Sequence, residues 1–310
     1  MNTKKVVIFS VVTLLLSTLI ALVLKFGMGA LDNAMISTTI MQMGLMGMMF
    51  VPAIVALIVK ADFKNMGWNP HPLKNWFWIL FSLVIPIILM GLGAALFFLV
   101  FPELFDSKCS YLSETMKERS GQDIEAVLAS AGLDMKLYVV ITVVQCVTLA
   151  PFLNMIPALG EEIGWRGFLY PELKKKFGRI GCWIIGGSIW GAFHFGAMIF
   201  LGYEYGFDYF GAPVLGLVAF ALFCILIGMI EELIYSSSKS IWYPALFHGS
   251  INAAANLGTM FLSASDPDKI ERMIIFGPAG NGLIPMIPFL ITAVLMAVLI
   301  PQKKAEVKKE

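Results

Sequence analysis

The sequence predicts an all-α integral membrane protein with eight transmembrane helices and an intramembrane polar cavity. Two features of the composition indicate a membrane protein: 58% of the 310 residues are hydrophobic and only 14% are charged. A typical soluble domain has about 25% charged residues. The third observation is that apolar runs of membrane-spanning length recur along the whole chain. These features exclude an ordinary soluble globular protein.

Eight apolar runs are candidates for spans, because a spanning helix needs about 20 mostly apolar residues. The first follows two lysines in the manner of a signal peptide, but it is too long for an h-region and no small-residue cleavage site follows. We therefore predict it as a span. No internal repeat divides residues 1–310, which are predicted to form a single membrane domain with a core at 137–262. The predicted spans are Val6–Leu24, Ala34–Val59, Trp76–Phe101, Leu137–Ala158, Gly181–Leu201, Pro213–Leu233, Ile241–Leu262 and Leu283–Ile300.

The basic residues predict the orientation of these spans. With the amino terminus inside, the cytoplasmic segments hold 15 of the 22 basic residues. The outer segments hold the other seven, together with 13 of the 21 acidic residues. This bias follows the positive-inside rule. We therefore expect a multi-pass protein of the cell membrane with both termini in the cytoplasm, and a long outer loop at 102–136 that contains a short surface helix at 122–132.

Several other functions receive no support from the composition. The formal net charge is +1 and the basic residues form no single patch, so we predict no nucleic-acid partner. The four cysteines lack metal-binding or disulfide spacing and are predicted to be buried free thiols. His71 lies in an Asn-Pro-His-Pro turn and is predicted to be a solvated loop histidine.

A charged cluster within an apolar stretch is the first candidate for function. The segment Gly160–Arg166 is predicted to lie at the cytoplasmic end of the fourth span. Charged side chains near a bilayer core cost about 2.5–3.5 kcal/mol on insertion scales, and they are usually paired, solvated or functional. On a helix, Glu162 and Arg166 share a face, whereas Glu161 points about 100° away. Glu161 is therefore expected to be free for chemistry; the alternative is an interfacial charge network.

Two histidines lie in other predicted spans. His194 follows Trp190 by one helical turn in the fifth span, so the indole can stack beside the imidazole. His248 and Asn252 lie one turn apart in the seventh span, and Asn256 follows after a further turn. The structural alternatives are a satisfied core histidine and a hydrogen-bonded stripe between helices. Because one shared polar cavity costs less than several separate buried polar groups, we expect these side chains to converge with the free carboxylate.

Glu161, His194, His248 and Asn252 match the groups needed to hydrolyse an amide bond. A carboxylate and a histidine can activate water, and a second histidine and an amide can donate hydrogen bonds to the developing oxyanion. No serine or cysteine has an obvious histidine and acid in support. Two histidines and a glutamate also form a known zinc ligand set, but the His-Glu-x-x-His spacing is absent. No cofactor is therefore predicted, and zinc is not favoured.

Three motifs resemble those of the CAAX-protease and bacteriocin-processing family (CPBP, or Abi), which includes the type II CAAX prenyl endopeptidases, glutamate-type intramembrane proteases. The resemblance covers roughly Leu137 to Leu262. It implies that Glu161 and His194 activate the water, that His248 and Asn252 form the oxyanion site, and that Glu162 and Arg166 support the first glutamate. It also implies an eight-helix core whose cavity opens to the cytoplasm. The motifs are Glu161-Glu162-Ile163-Gly164-Trp165-Arg166, Trp190-x-x-x-His194 and His248-x-x-x-Asn252.

Two positions depart from the family pattern. Trp190 stands where the second motif usually begins with phenylalanine, and the larger ring is expected to reshape the cavity. Glu231 and Glu232 add a carboxylate pair at the inner end of the sixth span, where the family is normally apolar. We expect this pair to lie at a solvated helix end. The alternatives are a contact for basic groups of the substrate and a rival base to Glu161.

The predicted function is endopeptidase cleavage, within the lipid bilayer, of a peptide or membrane-protein substrate. The composition is rich in lysine and poor in arginine, which suggests a bacterial source. Because bacteria generally lack protein prenylation, a peptide pheromone, a bacteriocin leader or a membrane regulator fits better than a CAAX substrate. Two other classes stay open: a non-catalytic scaffold or bacteriocin-immunity protein of the same fold, and a transporter, against which the lack of inverted repeats counts. The sequence predicts no particular oligomeric state.

Overall fold

The computed structural model describes residues 1–28 and 34–300. In these residues the regular structure is helical, apart from one isolated antiparallel bridge between Phe105 and Leu262. A π-helical turn at Trp165–Leu169 joins the eighth α-helix to the ninth. The α-helices of the described residues are α1 (Thr3–Met28), α2 (Ala34–Met48), α3 (Val51–Ile58), α4 (Trp76–Val100), α5 (Ser110–Ser120), α6 (Ile124–Ser130), α7 (Met135–Val147), α8 (Ala150–Gly164), α9 (Tyr170–Leu201), α10 (Val214–Ser238), α11 (Trp242–Ala254), α12 (Pro267–Met273) and α13 (Met286–Leu299).

Five helical stretches of the described chain are long and apolar enough to cross a membrane, or six if the bent pair α6 and α7 forms one span. Only 28–50% of each apolar window is buried inside the protein, as expected for helices that contact lipid. The chain is therefore a multi-pass membrane protein. Because α11 and α13 have only 13 and 14 residues, the total of eight spans stays a prediction. The five stretches are Thr3–Met28, Ile36–Ile58, Trp76–Val100, Ala150–Leu201 and Val214–Ser238.

The fourth span differs from its prediction. Helix α7 ends at Val147, and a new helical run starts at Ala150 and continues through the π-helical turn to Gly178, which adopts a left-handed φ of 67°. Glu161 thus lies well inside this run and not at its cytoplasmic end. Hydropathy placed the boundary too early because it treats each charged residue as solvated, whereas this cluster is buried.

The non-helical backbone at Gly178 divides one long helical stretch into two helices. At the helical rise per residue, the 52 residues of Ala150–Leu201 span about 78 Å, which is more than twice the hydrocarbon thickness of about 30 Å. A non-helical glycine within the stretch allows the chain to reverse there. As a result, α8 and the second half of α9 both reach the interior of the helix bundle.

Close helix packing depends on glycines, as the small residues of the fifth span predicted. A Cβ atom on Gly187 or Gly191 would lie 2.5 or 2.6 Å from a backbone atom of α10. A Cβ atom on Gly249 of α11 would lie 2.6 Å from the backbone nitrogen of Met155 in α8. Helices α8, α9, α10 and α11 therefore approach one another almost backbone to backbone.

The two ends of the bundle are defined by contacts of α1. At its start, the Asn2 amide donates to Glu172 at 2.6 Å, and Lys5 Nζ donates to the Lys60 carbonyl. At its other end, Lys25 lies over the ring of Phe207. The charge distribution predicts the first end to be cytoplasmic. Lysines 303, 304, 308 and 309, which contribute to that prediction, lie outside the described residues.

Some local predictions are confirmed. The predicted surface helix within the 102–136 loop is α6, and the Asp123 carboxylate caps it by accepting from two backbone amides. All four cysteines are buried free thiols. His71 is exposed in its predicted turn.

Candidate active site

A cavity of about 460 Å³ lies among α2, α8, α9, α10 and α11. Its wall includes Glu161, Trp190, His194, His248 and Asn252, so the structure brings these five predicted residues together. They come from three helices, α8, α9 and α11. Asn256, two residues beyond the end of α11, also lines this cavity.

Glu161 is held by two tryptophans. Its Oε2 atom accepts hydrogen bonds from Trp165 Nε1 at 2.9 Å and from Trp190 Nε1 at 2.6 Å. Both donors are neutral, so they fix the carboxylate and stabilise its charge without cancelling it. The other oxygen, Oε1, makes no hydrogen bond to another described residue. This arrangement leaves one carboxylate oxygen available to a water molecule in the cavity.

His194 is oriented by its own helix. Its Nδ1 atom lies 3.0 Å from the Trp190 carbonyl, and because a carbonyl oxygen can only accept, Nδ1 carries the proton. In the neutral ring, Nε2 therefore keeps its lone pair. The imidazole stacks on Tyr203 with ring centroids 6.1 Å apart, and the edge-on ring of Phe220 lies 4.9 Å away. These contacts fix the ring with an unprotonated nitrogen that can bind water.

The predicted stacking of Trp190 on His194 is wrong. The indole instead lies edge-on to His248, with ring centroids 5.2 Å apart, and over the guanidinium of Arg166. The reason is that its N–H group donates to Glu161, which turns the ring toward α8. The contact between Trp190 and His194 runs through the backbone carbonyl alone.

Glu162 contacts the second histidine, while its support of Glu161, which the resemblance implied, stays a prediction. Its Oε1 atom lies 2.9 Å from Arg166 Nη1, as the i,i+4 spacing predicted, and 3.0 Å from His248 Nδ1. Because a carboxylate accepts, Nδ1 of His248 carries a proton. An imidazolium at this position is balanced by the adjacent negative charge. Glu162 therefore orients the second histidine and stabilises its charged form.

Arg166 is the centre of a buried ionic network. A second guanidinium nitrogen lies 2.5 Å from Glu231 Oε2 of α10, and the group lies between the rings of Tyr170 and Trp190 at 4.7 and 4.4 Å. Arg166, Glu162 and Glu231 are all 0% exposed. One arginine thus ties α8 and α10 together beneath the cavity.

The prediction of a solvated helix end for Glu231 and Glu232 is wrong. Helix α10 continues to Ser238, so both carboxylates lie more than a turn inside it and are buried. Glu231 binds Arg166, whereas Glu232 accepts from Lys174 at 2.6 Å and from Trp183 Nε1 at 3.0 Å. Neither residue belongs to the cavity wall, so the geometry does not favour either as a rival base.

Three ligand atoms from two carboxylates and an imidazole lie close together beneath the cavity. In the described part of the chain, the group that brings three ligand atoms within 4.8 Å of one another consists of Glu162, Glu231 and His248. The Arg166 guanidinium already binds both of these carboxylates and supplies the positive charge. This group therefore does not fit a metal. The zinc ligands considered from the sequence were Glu161, His194 and His248. Among the described residues, their ligand atoms do not all lie within 4.8 Å of one another.

Sequence reasoning missed several residues around the site. Trp165 belongs to the first motif, but no role of its own was predicted for it. Its position one turn after Glu161 is the signal that its indole can reach that carboxylate. Tyr203 and Phe220 flank His194 but carry no sequence signal, because only the packing of α9 against α10 places them there. Asn252 lines the cavity one turn after His248, as predicted, and its side-chain amide makes no hydrogen bond to another described residue.

The cavity lies toward the end of the bundle opposite the amino terminus. Its wall includes Tyr203 and Glu204, which follow α9, and Thr259 and Asn281, which follow α11. A separate depression at the amino-terminal end is lined by other residues, among them Asn2. Two expectations therefore conflict: the charge distribution places the amino terminus in the cytoplasm, whereas the resemblance implied that the cavity also opens there.

Comparisons with known proteins agree with the motifs. Residues 142–254 match the family model described as type II CAAX prenyl endopeptidase Rce1-like. CAAX prenyl protease 2 from Methanococcus maripaludis is 29% identical over 126 residues, which cover 40% of this chain and 45% of that protein. The match thus spans less than half the length of the curated relative. Residues 142–254, which carry all three motifs, are thus similar to the type II CAAX prenyl endopeptidases of the Rce1-like family.

Proposed function

We propose that this protein is an intramembrane endopeptidase that hydrolyses a peptide or membrane-protein substrate with water activated by Glu161 and His194. The observation that supports this proposal best is the arrangement of Glu161 in the cavity wall. One of its oxygens is fixed by two indoles while the other is free, and two histidines and an amide line the same cavity. Eight spans around this polar cavity are part of the proposal.

The proposed reaction begins with a water molecule between Glu161 Oε1 and His194 Nε2. The carboxylate takes a proton from this water as its oxygen attacks the carbonyl carbon of the substrate. The new oxyanion accepts hydrogen bonds from His248 Nε2–H and from the Asn252 amide. The protonated Glu161 then gives its proton to the departing amide nitrogen, and the C–N bond breaks. The products are a peptide carboxylic acid and a peptide amine, which become carboxylate and ammonium when the acid proton passes to the amine.

The buried network under the cavity prepares this chemistry. His248 can donate from Nε2 while Nδ1 donates to Glu162 only if both nitrogens carry protons. The Glu162 carboxylate stabilises that charged ring, and the ion pair with Arg166 holds the carboxylate in place. We propose that no metal cofactor takes part, because the guanidinium supplies the positive charge that a metal would bring to this network.

The substrate and the side of entry are proposed on separate grounds. A bacterial source, inferred from the composition, disfavours a prenylated substrate, so we propose a secreted or membrane-bound peptide. We also propose that the termini are cytoplasmic, because the positive-inside bias is a physical property of this chain. The mouth of the cavity then faces the outer side of the cell membrane.

The orientation can be measured with single cysteines. The four native cysteines are buried, so they should give little background with a membrane-impermeant maleimide. Asp208→Cys, in the exposed connection after α9, should be labelled in intact cells. Lys64→Cys, exposed at the opposite end, should be labelled only after the membrane is permeabilised. The reverse pattern would place the cavity mouth in the cytoplasm, as the family resemblance implied.

The proposed activity is tested by comparing cells that express the wild-type protein with cells that express Glu161→Gln at equal levels. Glutamine keeps the shape and accepts the same indole hydrogen bonds, but it cannot take a proton from water. We expect at least one released peptide, detected by mass spectrometry in membranes and medium, to disappear with the variant. Identical peptide profiles together with an unchanged phenotype would contradict the protease and favour the scaffold.

A further inference from the structure

We infer that Glu204 forms a subsite for a lysine or arginine side chain of the substrate, about three residues from the cleaved bond. This inference rests on the proposed function, since it assigns a specificity to the same cavity. Glu204 lies in the connection between α9 and α10 and belongs to the cavity wall.

The Glu204 carboxylate is held by a neutral donor. Asn281 Nδ2 donates to Glu204 Oε2 at 2.6 Å. Asn281 is only 5% exposed, and its backbone carbonyl accepts from the Tyr205 hydroxyl at 2.7 Å. Glu204 itself has a left-handed φ of 74°, which is uncommon for a residue with a side chain. The connection before α13, which contains Asn281, therefore holds the carboxylate.

The charge of Glu204 has no partner in the described protein. No lysine, arginine or histidine of the described residues lies within 4.0 Å of it, in contrast to the paired carboxylates of Glu162, Glu231 and Glu232. The cavity wall contains two carboxylates, Glu161 and Glu204, and its described lining includes no lysine or arginine. The positive charge of His248 in this wall is balanced by Glu162, so the charge left on the wall is negative. Low-dielectric walls focus such a charge and attract the opposite one. The complementary ligand group is a cation.

The spacing places this cation near the bond that is cleaved. The last part of α9, from His194 to Leu201, ends just before Glu204. This part corresponds to about 10 Å of axial rise. A peptide in an extended conformation covers this distance in about three residues. Methionine and phenylalanine side chains, among them Met46, Met49 and Phe223, also line this cavity. A substrate with a basic residue and apolar neighbours fits this cavity.

Binding experiments separate this inference from turnover. The protein is prepared in detergent with Glu161→Gln, so that no cleavage occurs, and fluorescent apolar peptides carry a single lysine at successive positions. By anisotropy, we expect one lysine position to bind about tenfold more tightly than the matching glutamate peptide. Adding Glu204→Gln, which keeps an acceptor for Asn281, should abolish this preference, and Glu204→Lys should favour the glutamate peptide.

Asp208→Asn is the matched control, because it removes the same charge from the same connection but outside the cavity wall. It should leave the lysine preference unchanged. A preference that survives Glu204→Gln, or that Asp208→Asn lowers equally, would overturn the subsite. Failure of the proposed function looks different: peptides would bind with the predicted preference, but no peptide would be released in a Glu161-dependent way. If a peptide is released in a Glu161-dependent way but binding shows no preference for lysine, the subsite is contradicted and the proposed protease function is not.

Discussion

Arg166→Met is expected to prevent stable folding of the protein. The substitution keeps an apolar side chain of similar length between Tyr170 and Trp190, but it removes the cation that Glu162 and Glu231 share. Both carboxylates would then lie buried and uncompensated in a low-dielectric interior. Breaking a buried ion pair by removing one partner costs about 3–5 kcal/mol, which is a large part of the typical net stability of 5–15 kcal/mol.

The measurement is the yield of monodisperse protein in detergent, followed by its thermal unfolding midpoint. Lys174→Met is the matched control, since it removes a cation from the partly exposed pair with Glu232 and should cost at most about 1 kcal/mol. The triple variant with Arg166→Met, Glu162→Gln and Glu231→Gln should recover much of the yield, because no buried charge is then left alone. Equal losses for Arg166→Met and Lys174→Met would show that the buried network does not dominate stability.

The same network explains why the sequence predicted some helices better than others. Helices α1, α4 and α10 begin and end within a few residues of the predicted spans, because their lipid-facing sides are uniformly apolar. The fourth span was misplaced because hydropathy sums side chains one at a time. Arg166 pairs with Glu231, which lies in a helix much later in the chain. A hydropathy window around Arg166 does not include that residue.

The site shows a similar limit. Spacing along one helix predicted the pairing of Glu162 with Arg166, since i and i+4 residues share a face. Spacing does not determine which group on another helix a side chain meets. The bond from His248 to Glu162 and the indole bond from Trp190 to Glu161 both cross between helices. They depend on rotamers and on the π-helical turn after α8, a type of irregularity often found at functional sites.

Replacing both Trp165 and Trp190 by phenylalanine is expected to reduce turnover at least hundredfold. Each substitution keeps an aromatic ring in place but removes an N–H donor to Glu161 Oε2. A hydrogen bond to a charged group contributes about 1.5–3 kcal/mol, and each 1.36 kcal/mol in the barrier is tenfold in rate. Without these donors the carboxylate can rotate, so its free oxygen no longer stays directed at the water.

The rate is measured on the peptide whose release depends on Glu161, with kcat and KM determined separately. We expect kcat to fall while KM changes little, because the indoles bind the base and not the substrate. Trp183→Phe is the control. Trp183 lies in α9, like Trp190, but its indole donates to Glu232 of α10, away from the cavity. If Trp183→Phe lowered kcat as much as the double variant, the effect would come from weakened packing of α9. A loss confined to Trp165 and Trp190 would instead assign to the indoles the role of holding the general base.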